Sequence, residues 1–593
     1  MNLEKSFYRL QWTWVAMLVV PQGCYLNLQA AYEPDTESNT IADENTDEDT
    51  AAHENDSADT GGGADSDSDT TSTAKSETDS HTEIDSESDT DADVDTETDT
   101  HKDIPTTDSD DTDSKEGTGE EPPQDPLNSD VDTDTEAIFD TASALETETE
   151  TPCKEGFTGQ ECKRCVIYVD GDNGNDDKPG TTWRVAKKTI NAGIAKAAFE
   201  SETERCDVWV AQGTYALNPT APETDAGVTE SSRQMTIRLL ENVAVYGGFE
   251  PNETFFNHRS AAENTTIIDG GGVFHVVTGA EGATLDGFTI VGGKADVGDD
   301  VYGGGMLNTG VSPVVRNCTF YGNSAAYGGG MANLKGASPI VSHVTFKENV
   351  AERLGGGLFS AGTTATGSAY LVVDRGTFIA NTADHGGAVY NQQKNARITN
   401  SLFFDNRAKE QGAAVYSDSS TTVMMNATFY NNSNRDNDGG DATEVINDAR
   451  SSIYVSNDIP GSTPSALTNS IVWGDTVSET PIVIGGENAS ALNVTFSNIQ
   501  LAPSMIYATG NINSDPGFVS TDIANGGPDL RLSCPSEEEC SPCVDTGNAG
   551  VIEDEVLDLA GNQRMVDISG VGEKKVTIDM GAYEVQAIDK PTK

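Results

Sequence analysis

Acidic residues beside a histidine or an arginine are the groups in this chain that could carry out acid–base chemistry. Asp384 and His385 are adjacent, and Arg397 follows in the next unit of a repeat described below. Asp299 and Asp300 form a second acidic pair, shortly before a glycine triplet. Paired carboxylates could cleave a glycosidic bond, and an acid cluster with an arginine base could remove a proton beside a uronate carboxylate.

A structural interpretation competes with the enzymatic one at these positions. Asp384 and His385 occupy the place that Ala326 and Tyr327 fill in another repeat, which is typical of a variable surface corner. The residue set of polygalacturonases, Asn-x-Asp, Asp-Asp, Gly-His-Gly and Arg-x-Lys, does not occur together. The sequence therefore favours a protein without catalytic residues. Asp384, His385 and Arg397 are the candidates under the enzymatic alternative.

One aspartate-rich loop could hold a cation. In the segment DGDNGNDDKPG, the candidate Ca²⁺ ligands are Asp170, Asp172, Asp176 and Asp177. The spacing of an EF-hand is absent, and a turn accounts for the same Asp, Asn and Gly residues. The main prediction is therefore no cofactor, with calcium at this loop as the alternative.

Three tyrosines beside the glycine motifs, Tyr302, Tyr327 and Tyr390, have two interpretations. Their rings could stack on sugars, or they could pack against neighbouring side chains at corners of the fold. Corner packing is the more common role of such residues, and it is the favoured interpretation.

The strongest pattern in the sequence is a repeat with two columns. The first column, F-x-x-N, comprises Phe320, Asn323, Phe346, Asn349, Phe378, Asn381, Phe403, Asn406, Phe429 and Asn432. The second is a glycine motif, GGGMLN, GGGMAN, GGGLFS, GGAVYN and GAAVYS, which begins at Gly303, Gly328, Gly355, Gly386 and Gly412. Two columns with one period indicate a solenoid in which each unit forms one turn.

Short β-rich pieces such as VVRNCTF and IVSHVTF lie between the columns. Units of about 25 residues with two or three such strands are too short for βαβ crossovers. The predicted fold is all-β, a right-handed parallel β-helix or pectate-lyase-like solenoid, whose equivalent side chains stack at about 4.8 Å. A helix within Thr182–Phe199, with Ile190, Ile194, Ala197 and Ala198 on one face, is predicted to cap the first turn.

A long acidic tract precedes the folded part. Between Glu33 and Glu150 there are 42 Asp and Glu residues against three Lys, and Phe139 is the only Phe, Tyr or Trp. Because this composition cannot bury a core, the tract is predicted to be a disordered tether. It carries most of the formal net charge of −63, which disfavours nucleic-acid binding.

The N-terminus has the pattern of an export signal. Nine apolar residues, WTWVAMLVV, are too few to span a bilayer but are typical of a signal segment. Gly23-Cys24 then resembles the cleavage site of bacterial lipoproteins, which implies a lipid on Cys24. Pro21 departs from that pattern, so ordinary cleavage near Ala30 is the alternative. The expected location is the outer membrane or cell surface of a Gram-negative-type bacterium, or the medium.

Export favours disulfides among the remaining cysteines. The candidates are Cys153, Cys162, Cys165, Cys206, Cys534, Cys540 and Cys543. CKEGFTGQEC, from Cys153 to Cys162, resembles the last loop of an epidermal-growth-factor-like module, of which only this fragment is present. Zinc at the C-x-x-C pairs is disfavoured because no histidine has ligand spacing. Cys318 is predicted to be a buried thiol.

Several motifs resemble known families. The two repeat columns resemble those of chlamydial polymorphic outer-membrane proteins, which are β-helical surface adhesins. The segment from Tyr168 to Tyr215 is similar to the start of bacterial right-handed parallel β-helix repeat proteins. NSIVWGD, SPCVDTGN, DLAGNQR and IDMGAYE resemble the C-terminal pattern of β-helix proteins of the choice-of-anchor Q type. These resemblances imply the fold but little about the ligand.

The predicted segments are a signal segment at 1–30, an acidic tether at 31–152, a cysteine-rich fragment at 153–165, the β-helix at 166–515 and its C-terminal closure at 516–593. The predicted function is adhesion, or polysaccharide or matrix binding, by a non-enzymatic surface protein. The alternative is a polysaccharide lyase or glycoside hydrolase acting on an acidic polysaccharide. The expected partners are an extracellular polysaccharide or cell-surface ligand and, through the lipid of Cys24, the membrane. A monomer is expected.

Overall fold

The computed structural model describes residues 165–200, 206–217 and 236–588, apart from 273, 297, 299, 363–369, 435–450, 457–462, 476–479, 486–491, 501–508, 524–526, 552–555 and 572–577. The predicted signal segment, the acidic tether, Cys24, Cys153 and Cys162 lie outside the described residues. No helix among the described residues combines the length and the apolar composition needed to cross a membrane.

The described strands, numbered in chain order, form four parallel sheets. Sheet A stacks β1 (Cys165–Val169), β2 (Cys206–Ala211), β5 (Ala244–Phe249), β8 (Thr284–Asp286), β12 (Val314–Arg316), β16 (Ile340–Ser342), β20 (Tyr370–Asp374), β24 (Asn395–Thr399), β28 (Thr422–Met425), β32 (Ser465–Thr468) and β35 (Leu492–Thr495). Sheet B stacks β3 (Gly213–Ala216), β6 (Thr266–Asp269), β9 (Phe288–Val291), β13 (Thr319–Tyr321), β17 (Thr345–Lys347), β21 (Thr377–Ile379), β25 (Leu402–Phe404), β29 (Thr428–Tyr430), β33 (Ile471–Trp473) and β36 (Asn498–Ile499).

Two further sheets complete the turns. Sheet C stacks β4 (Ile237–Arg238), β7 (Val277–Thr278), β11 (Met306–Thr309), β15 (Met331–Leu334), β19 (Leu358–Ala361), β23 (Val389–Gln392), β27 (Val415–Asp418), β31 (Ile453–Ser456) and β34 (Ile482–Gly485). Sheet D stacks β10 (Lys294–Ala295), β14 (Ser324–Tyr327), β18 (Val350–Leu354), β22 (Thr382–His385), β26 (Arg407–Gln411) and β30 (Ser433–Asn434). An antiparallel hairpin follows, with β37 (Phe518–Ser520) and β38 (Asp529–Leu532). Single 3₁₀ turns lie at Trp183–Val185, Phe256–His258 and Ala549–Val551.

One turn of the chain passes through the sheets in the order A, B, D and C, as β12, β13, β14 and β15 do. Equivalent positions of successive turns are in register, so that Phe320 pairs with Phe346 and Phe346 with Phe378. The pairing is parallel in all four sheets. The fold is therefore a right-handed parallel β-helix, which confirms the predicted fold class.

The phenylalanines of the repeat form a ladder inside the solenoid. Phe320, Phe346, Phe378, Phe403 and Phe429 are fully buried in sheet B. Their ring centroids are 5.1, 5.0, 4.8 and 4.6 Å apart in that order, and the ring planes are nearly parallel. A slip of one residue would turn each ring outward, so burial of the ladder also fixes the register between turns.

The asparagines of the repeat form a second ladder, at the corner between sheets B and D. Asn381 Nδ2 donates to Phe346 O and to Asn406 Oδ1, both at 2.9 Å. This ladder satisfies corner backbone groups that the sheets leave unpaired. Its last described member departs from the repeat. Asp475 takes the asparagine position, and its Oδ1 accepts the backbone N–H of Asn432 at 2.7 Å.

The glycine motif forms the tight corner between sheets D and C. Gly355 has a φ of 69°, in the left-handed region that favours glycine. A Cβ atom on Gly356 would lie 2.3 Å from the carbonyl oxygen of Gly387 in the next turn. Glycine recurs at this corner because the backbone conformation and the close contact between turns both exclude a side chain.

One helix, α1 (Ile190–Glu200), packs against the first strands of sheet A. Its apolar face, which includes Ile194 and Ala197, is buried, as expected for a cap. The helix begins later than the predicted segment because Thr189 is its N-cap. Thr189 Oγ1 accepts the backbone N–H of Ala192 at 3.2 Å.

The described residues of the C-terminal segment, 516–588, lie along the side of the last turns. The backbone N–H of Gly581 donates to Asn469 O at 2.7 Å, and Arg564 Nε donates to Asn400 Oδ1 at 3.2 Å. These contacts reach several turns back along the corner between sheets A and B. This segment therefore acts as a strap over the flank of the solenoid.

Residues from two C-terminal motifs meet in a buried cluster within this strap. The Arg564 side chain is fully buried, and its Nη1 donates to Glu584 Oε2 at 3.4 Å. The backbone N–H of Asp579 donates to the same Glu584 oxygen at 3.0 Å, and Glu584 N–H donates to Asp558 Oδ2 at 3.0 Å. The motifs DLAGNQR and IDMGAYE thus supply structural residues that attach the strap to the solenoid.

Candidate functional site

Two of the candidate catalytic residues lie on sheet D, near its corner with sheet C. Asp384 and His385 belong to β22. His385 Nε2 lies 3.2 Å from Glu410 Oε2 on the neighbouring strand β26. The His385 ring meets the Tyr416 ring edge-on, with a centroid distance of 5.2 Å. The structure therefore groups these two residues with a second acid and with a tyrosine of sheet C.

Arg397 is not part of that group. It belongs to β24 of sheet A, where its charge acts on Asp374. The basic residues that act on Asp384 are others, Lys409 foremost. Sheets A and D are different sides of the solenoid, so the three candidates do not form one site.

The environment of Asp384 shifts its protonation in a definite direction. Burial raises the pKa of Asp384, and the neighbouring carboxylate of Glu410 adds to the rise, whereas the ammonium of Lys409 opposes it. A raised pKa is what a carboxylic acid needs in order to donate a proton. The pair of Asp384 and Glu410 is therefore the acid–base feature of sheet D.

An aromatic strip runs along the outer face of sheet C and, at its N-terminal end, onto the corner with sheet D. The strip comprises Tyr302, Tyr327, Phe359, Tyr390, Tyr416 and Tyr454. Its last four members are equivalent residues of successive strands, with centroid distances of 5.8, 4.8 and 4.5 Å. Tyr302 and Tyr327 stack on each other 5.0 Å apart at the N-terminal end of the strip.

The rings of the strip cover one another's faces. Phe359 and Tyr390 are only 4% and 6% exposed, while Tyr416 and Tyr454 are half-buried. Tyr302, Tyr327 and Tyr390 thus pack against other rings, and the strip offers a ligand its edges and hydroxyl groups. Burial raises the pKa of Tyr390 and Tyr416, so both hydroxyls stay protonated at neutral pH and can donate hydrogen bonds.

A polar row lies beside the strip on the same face of sheet C. Gln392, Asp418 and Ser456 are equivalent residues of neighbouring strands. Gln392 Nε2 donates to Asp418 Oδ2 at 2.9 Å, and Ser456 Oγ donates to Asp418 Oδ1 at 3.3 Å. Carboxylate, amide, hydroxyl and phenol groups together supply the donors and acceptors that a hydroxyl-rich ligand requires.

The strip is continuous with the charged residues of sheet D. Arg353 Nη1 donates to the Tyr327 hydroxyl at 3.0 Å, and its guanidinium lies 5.8 Å from the Tyr327 ring centroid. We call this combined surface the D–C surface. It comprises the aromatic strip, Gln392, Asp418, Ser456, Arg353, Asp384, His385 and Glu410.

The four candidate calcium ligands lie in the first turn, where two of them serve the backbone. Asp170 Oδ1 accepts the N–H groups of Asp172 and Asn173, both at 3.0 Å. Asp176 Oδ1 accepts the N–H of Thr189, the N-cap of α1, at 2.9 Å. Asp177 is exposed. In the part of the chain that the structure describes, no three His, Cys, Asp or Glu side chains converge as a metal ion would require.

The described cysteines form two disulfides, Cys165–Cys206 and Cys534–Cys540. Because the first disulfide joins β1 to β2, Cys165 belongs to the solenoid and not to the cysteine-rich fragment. Cys543, a disulfide candidate, is instead a buried thiol whose Sγ accepts a hydrogen bond from Asn498 Nδ2 at 3.0 Å. Cys318 is also a buried thiol, as predicted.

Most members of the D–C surface were not singled out from the sequence, although a signal for them was present. In GGGLFS, GGAVYN and GAAVYS, the residue between the inward positions of the strand is Phe359, Tyr390 or Tyr416. Alternation along a strand places such residues on its outer face. Asp418 lies two residues after Tyr416 and therefore shares that face.

The comparison with protein families agrees with the architecture. A family model described as right handed beta helix region matches residues 255–459. Among solved structures, the chain is similar to tailspike protein gp49 from Acinetobacter baumannii bacteriophage Fri1, a capsular polysaccharide depolymerase, with 11% identity and a TM-score of 0.24. That match covers 59% of this chain and 61% of the tailspike chain. No curated protein sequence matches the chain. The stacked parallel sheets show that the described part of the chain has a β-helix fold, and the family match over 255–459 agrees with it.

Proposed function

We propose that this protein binds a polysaccharide at the cell surface and presents the D–C surface of its β-helix to that ligand. The observation that carries the proposal is the repetition of the aromatic strip and the polar row over successive turns. The turns are about 4.8 Å apart, so aromatic edges and polar side chains recur along a straight line. A linear polymer can contact such an array many times, and each contact adds to the affinity.

The chemistry of the surface supports a glycan over a protein partner. Its central carboxylate, Asp418, is bordered by an amide and a hydroxyl, and the adjoining tyrosines are neutral donors. Protein interfaces usually have a core of fully desolvated apolar side chains. Here the faces of the rings are already buried against each other, and polar edges are what remains for the ligand.

The proposal is tested by binding of the full chain to an array of polysaccharides and oligosaccharides, followed by titration of the best ligand. Replacing Tyr390 and Tyr416 together by Phe, or Asp418 by Asn, removes polar groups without removing the rings. We expect the Kd to rise at least roughly tenfold in both variants. Tyr321→Phe is the matched control, because Tyr321 is 39% exposed on sheet B. Equal binding by all variants, with unchanged unfolding temperatures, would refute the site.

Surface display is part of the same proposal. The acidic tether would hold the β-helix away from the membrane, and a lipid on Cys24 would anchor it. The variant Cys24→Ala should then move the protein from the membrane fraction to a soluble fraction. Retention of this variant in the membrane fraction would rule out the lipid anchor while leaving the glycan-binding surface untouched.

The alternative function is that of a polysaccharide lyase or glycoside hydrolase. One observation favours it, namely that Asp384 and Glu410 lie on neighbouring strands beside the aromatic strip, with the pKa of Asp384 raised. Chain cleavage of an acidic polysaccharide that is lost in Asp384→Ala would support this function. Arg397→Ala is the control, because Arg397 lies on sheet A and should have no effect on such an activity.

A further inference from the structure

A hydroxyl, an imidazole and a carboxylate are linked in series at the N-terminal end of sheet C. Thr278 Oγ1 lies 2.9 Å from His275 Nε2, and His275 Nδ1 lies 2.9 Å from Asp300 Oδ1. These are the contacts, in the same order, of the hydroxyl–histidine–acid triads that catalyse acyl transfer. Such triads are recognised by geometry and occur on unrelated folds.

The burial of the three residues fits the roles of a triad. Asp300 is buried, with 8% of its surface exposed, whereas His275 and Thr278 are half-buried and can be reached from solvent. An ionised Asp300 would accept a hydrogen bond from His275 Nδ1 and hold the imidazole proton on that nitrogen. In that tautomer, His275 Nε2 accepts the hydrogen bond of the Thr278 hydroxyl.

The triad shares a face with the aromatic strip. Thr278 pairs with Leu307, which pairs with Ala332, and this same row continues to Phe359, Tyr390 and Tyr416. Tyr302, the N-terminal member of the strip, lies two residues after Asp300. A polymer that follows the strip towards the N-terminal end of the solenoid would therefore reach Thr278.

The triad also lies where the repeat is broken. Met306 pairs with Val277. In the same register, the residues two positions earlier in each chain segment, Gly304 and His275, lie beside each other. Later turns have glycine at this corner, so the histidine has no counterpart in the regular repeats. Arg238 pairs with Thr278 on the other side and is exposed.

We propose that Thr278, His275 and Asp300 form the catalytic triad of an esterase that removes acyl groups from a polysaccharide lying along the D–C surface. The choice of a glycan ester rests on the proposed function, whereas the triad itself does not. The reaction would leave the polysaccharide backbone intact, so binding and deacylation can occur on the same chain.

The chemistry balances with water as the only co-substrate. Thr278 Oγ bonds to the acyl carbon while its proton passes to His275 Nε2, and the carbonyl electron pair moves to oxygen. The tetrahedral intermediate then collapses, and the bond between the acyl carbon and the sugar oxygen breaks. The sugar oxygen takes the proton from His275 and leaves as a hydroxyl group. Water then attacks the acyl-threonine and gives its proton to His275. The acid departs, and the proton returns to Thr278 Oγ.

The triad is tested first with 4-nitrophenyl acetate, a small ester that needs no glycan-binding surface. Thr278→Val and His275→Gln should lower kcat/KM at least about 100-fold. Thr278→Ser keeps a hydroxyl group and should retain activity. It therefore separates loss of the nucleophile, as in Thr278→Val, from a general effect of substitution at this position. Thr289→Val, on the outer face of sheet B, is the matched control and should match the unaltered protein. No turnover above buffer, or full turnover in Thr278→Val, would overturn the triad.

The substrate class is tested separately with acetylated xylan, by measuring the acetate that is released. Release that is lost in Thr278→Val and weakened in the Tyr390 and Tyr416 double variant supports a glycan esterase. Turnover of 4-nitrophenyl acetate without acetate release from any acetylated glycan on a panel would overturn the glycan substrate and leave the triad standing. Glycan binding without any esterase activity would overturn the triad and leave the proposed function standing.

Discussion

Each asparagine of the corner ladder satisfies groups in two neighbouring turns. Asn381 donates to Phe346 O and Asn406 Oδ1, and its own Oδ1 accepts both the backbone N–H and the Nδ2 of Asn349. Asn381→Ala would leave these buried partners unsatisfied, at about 1–3 kcal/mol each. We expect a loss of about 3 kcal/mol in the free energy of unfolding, measured by urea titration. Glu352→Ala, at an exposed position of sheet D, should change it by less than about 0.5 kcal/mol.

Asp475 replaces asparagine at the end of the described ladder, and its Oδ2 is buried. Burial raises the pKa of Asp475 from 3.8 to about 7. Between these two pH values the folded state binds more protons than the unfolded chain. Stability attributable to this group therefore falls as the pH rises through that window, by up to about 1.4 kcal/mol per pH unit.

Asp475→Asn keeps the hydrogen bonds of the ladder and removes the buried charge. At pH 8, we expect this variant to unfold at a higher temperature than the unaltered protein. Near pH 4, the two proteins should unfold at the same temperature. Thermal unfolding between pH 4 and 8 measures the difference. Glu352→Gln changes an exposed carboxylate and should keep the original pH profile. Parallel profiles for Asp475→Asn and the unaltered protein would contradict the assignment of the charge to Asp475.

At the scale of elements, the C-terminal strap depends on one buried arginine. Arg564 joins Asn400 of the solenoid to Glu584 of the strap. Removing its guanidinium would leave buried acceptors of both segments, Asn400 Oδ1 and Glu584 Oε2, without their donor, which typically costs about 1–3 kcal/mol each. We expect Arg564→Ala to speed amide hydrogen exchange in the described residues of 528–584 while the turns of the Phe ladder stay protected. Arg531→Ala, which removes an exposed ion pair with Asp529, should leave the exchange pattern unchanged.

The solenoid was predictable from the sequence because each turn uses the same residue at the same place. Phe378 fills the interior and Gly355 forms a tight corner. Every turn requires a residue of each kind, so Phe and Gly recur at the repeat period as two columns in the sequence. The strap has no such period. Arg564 and Glu584 would be assigned to the surface by residue type alone, and only the folded chain shows that they are buried together.

Separation in sequence was a poor guide to the sites. Asp384 and Arg397 are close in sequence, but the chain between them passes from sheet D through sheet C to sheet A. His275 and Asp300 are 25 residues apart, yet the solenoid brings them into contact. A distance of one repeat signals proximity only when the stacking of the turns is known.

At the scale of the whole molecule, the stacked turns give the aromatic strip a fixed length. The strip spans six successive turns, from Tyr302 to Tyr454, and five steps of about 4.8 Å give a length of about 24 Å. A ligand that follows the strip gains a contact at each turn without ordering further parts of the protein. Affinity should therefore rise with oligosaccharide length and level off once the ligand spans this distance.

Calorimetric titration of the full chain with size-graded oligosaccharides of the ligand found on the array measures this dependence. Replacing Tyr454 at the C-terminal end of the strip by Ala shortens the aromatic strip by one turn. The affinity should then level off at a shorter ligand length. Only the longest oligosaccharides reach Tyr454, so only they lose a contact in this variant. Tyr321→Ala on sheet B should leave the plateau in place. A disaccharide that binds as tightly as the longest ligand would show that recognition is confined to one turn, and that the repetition of the strip serves packing alone.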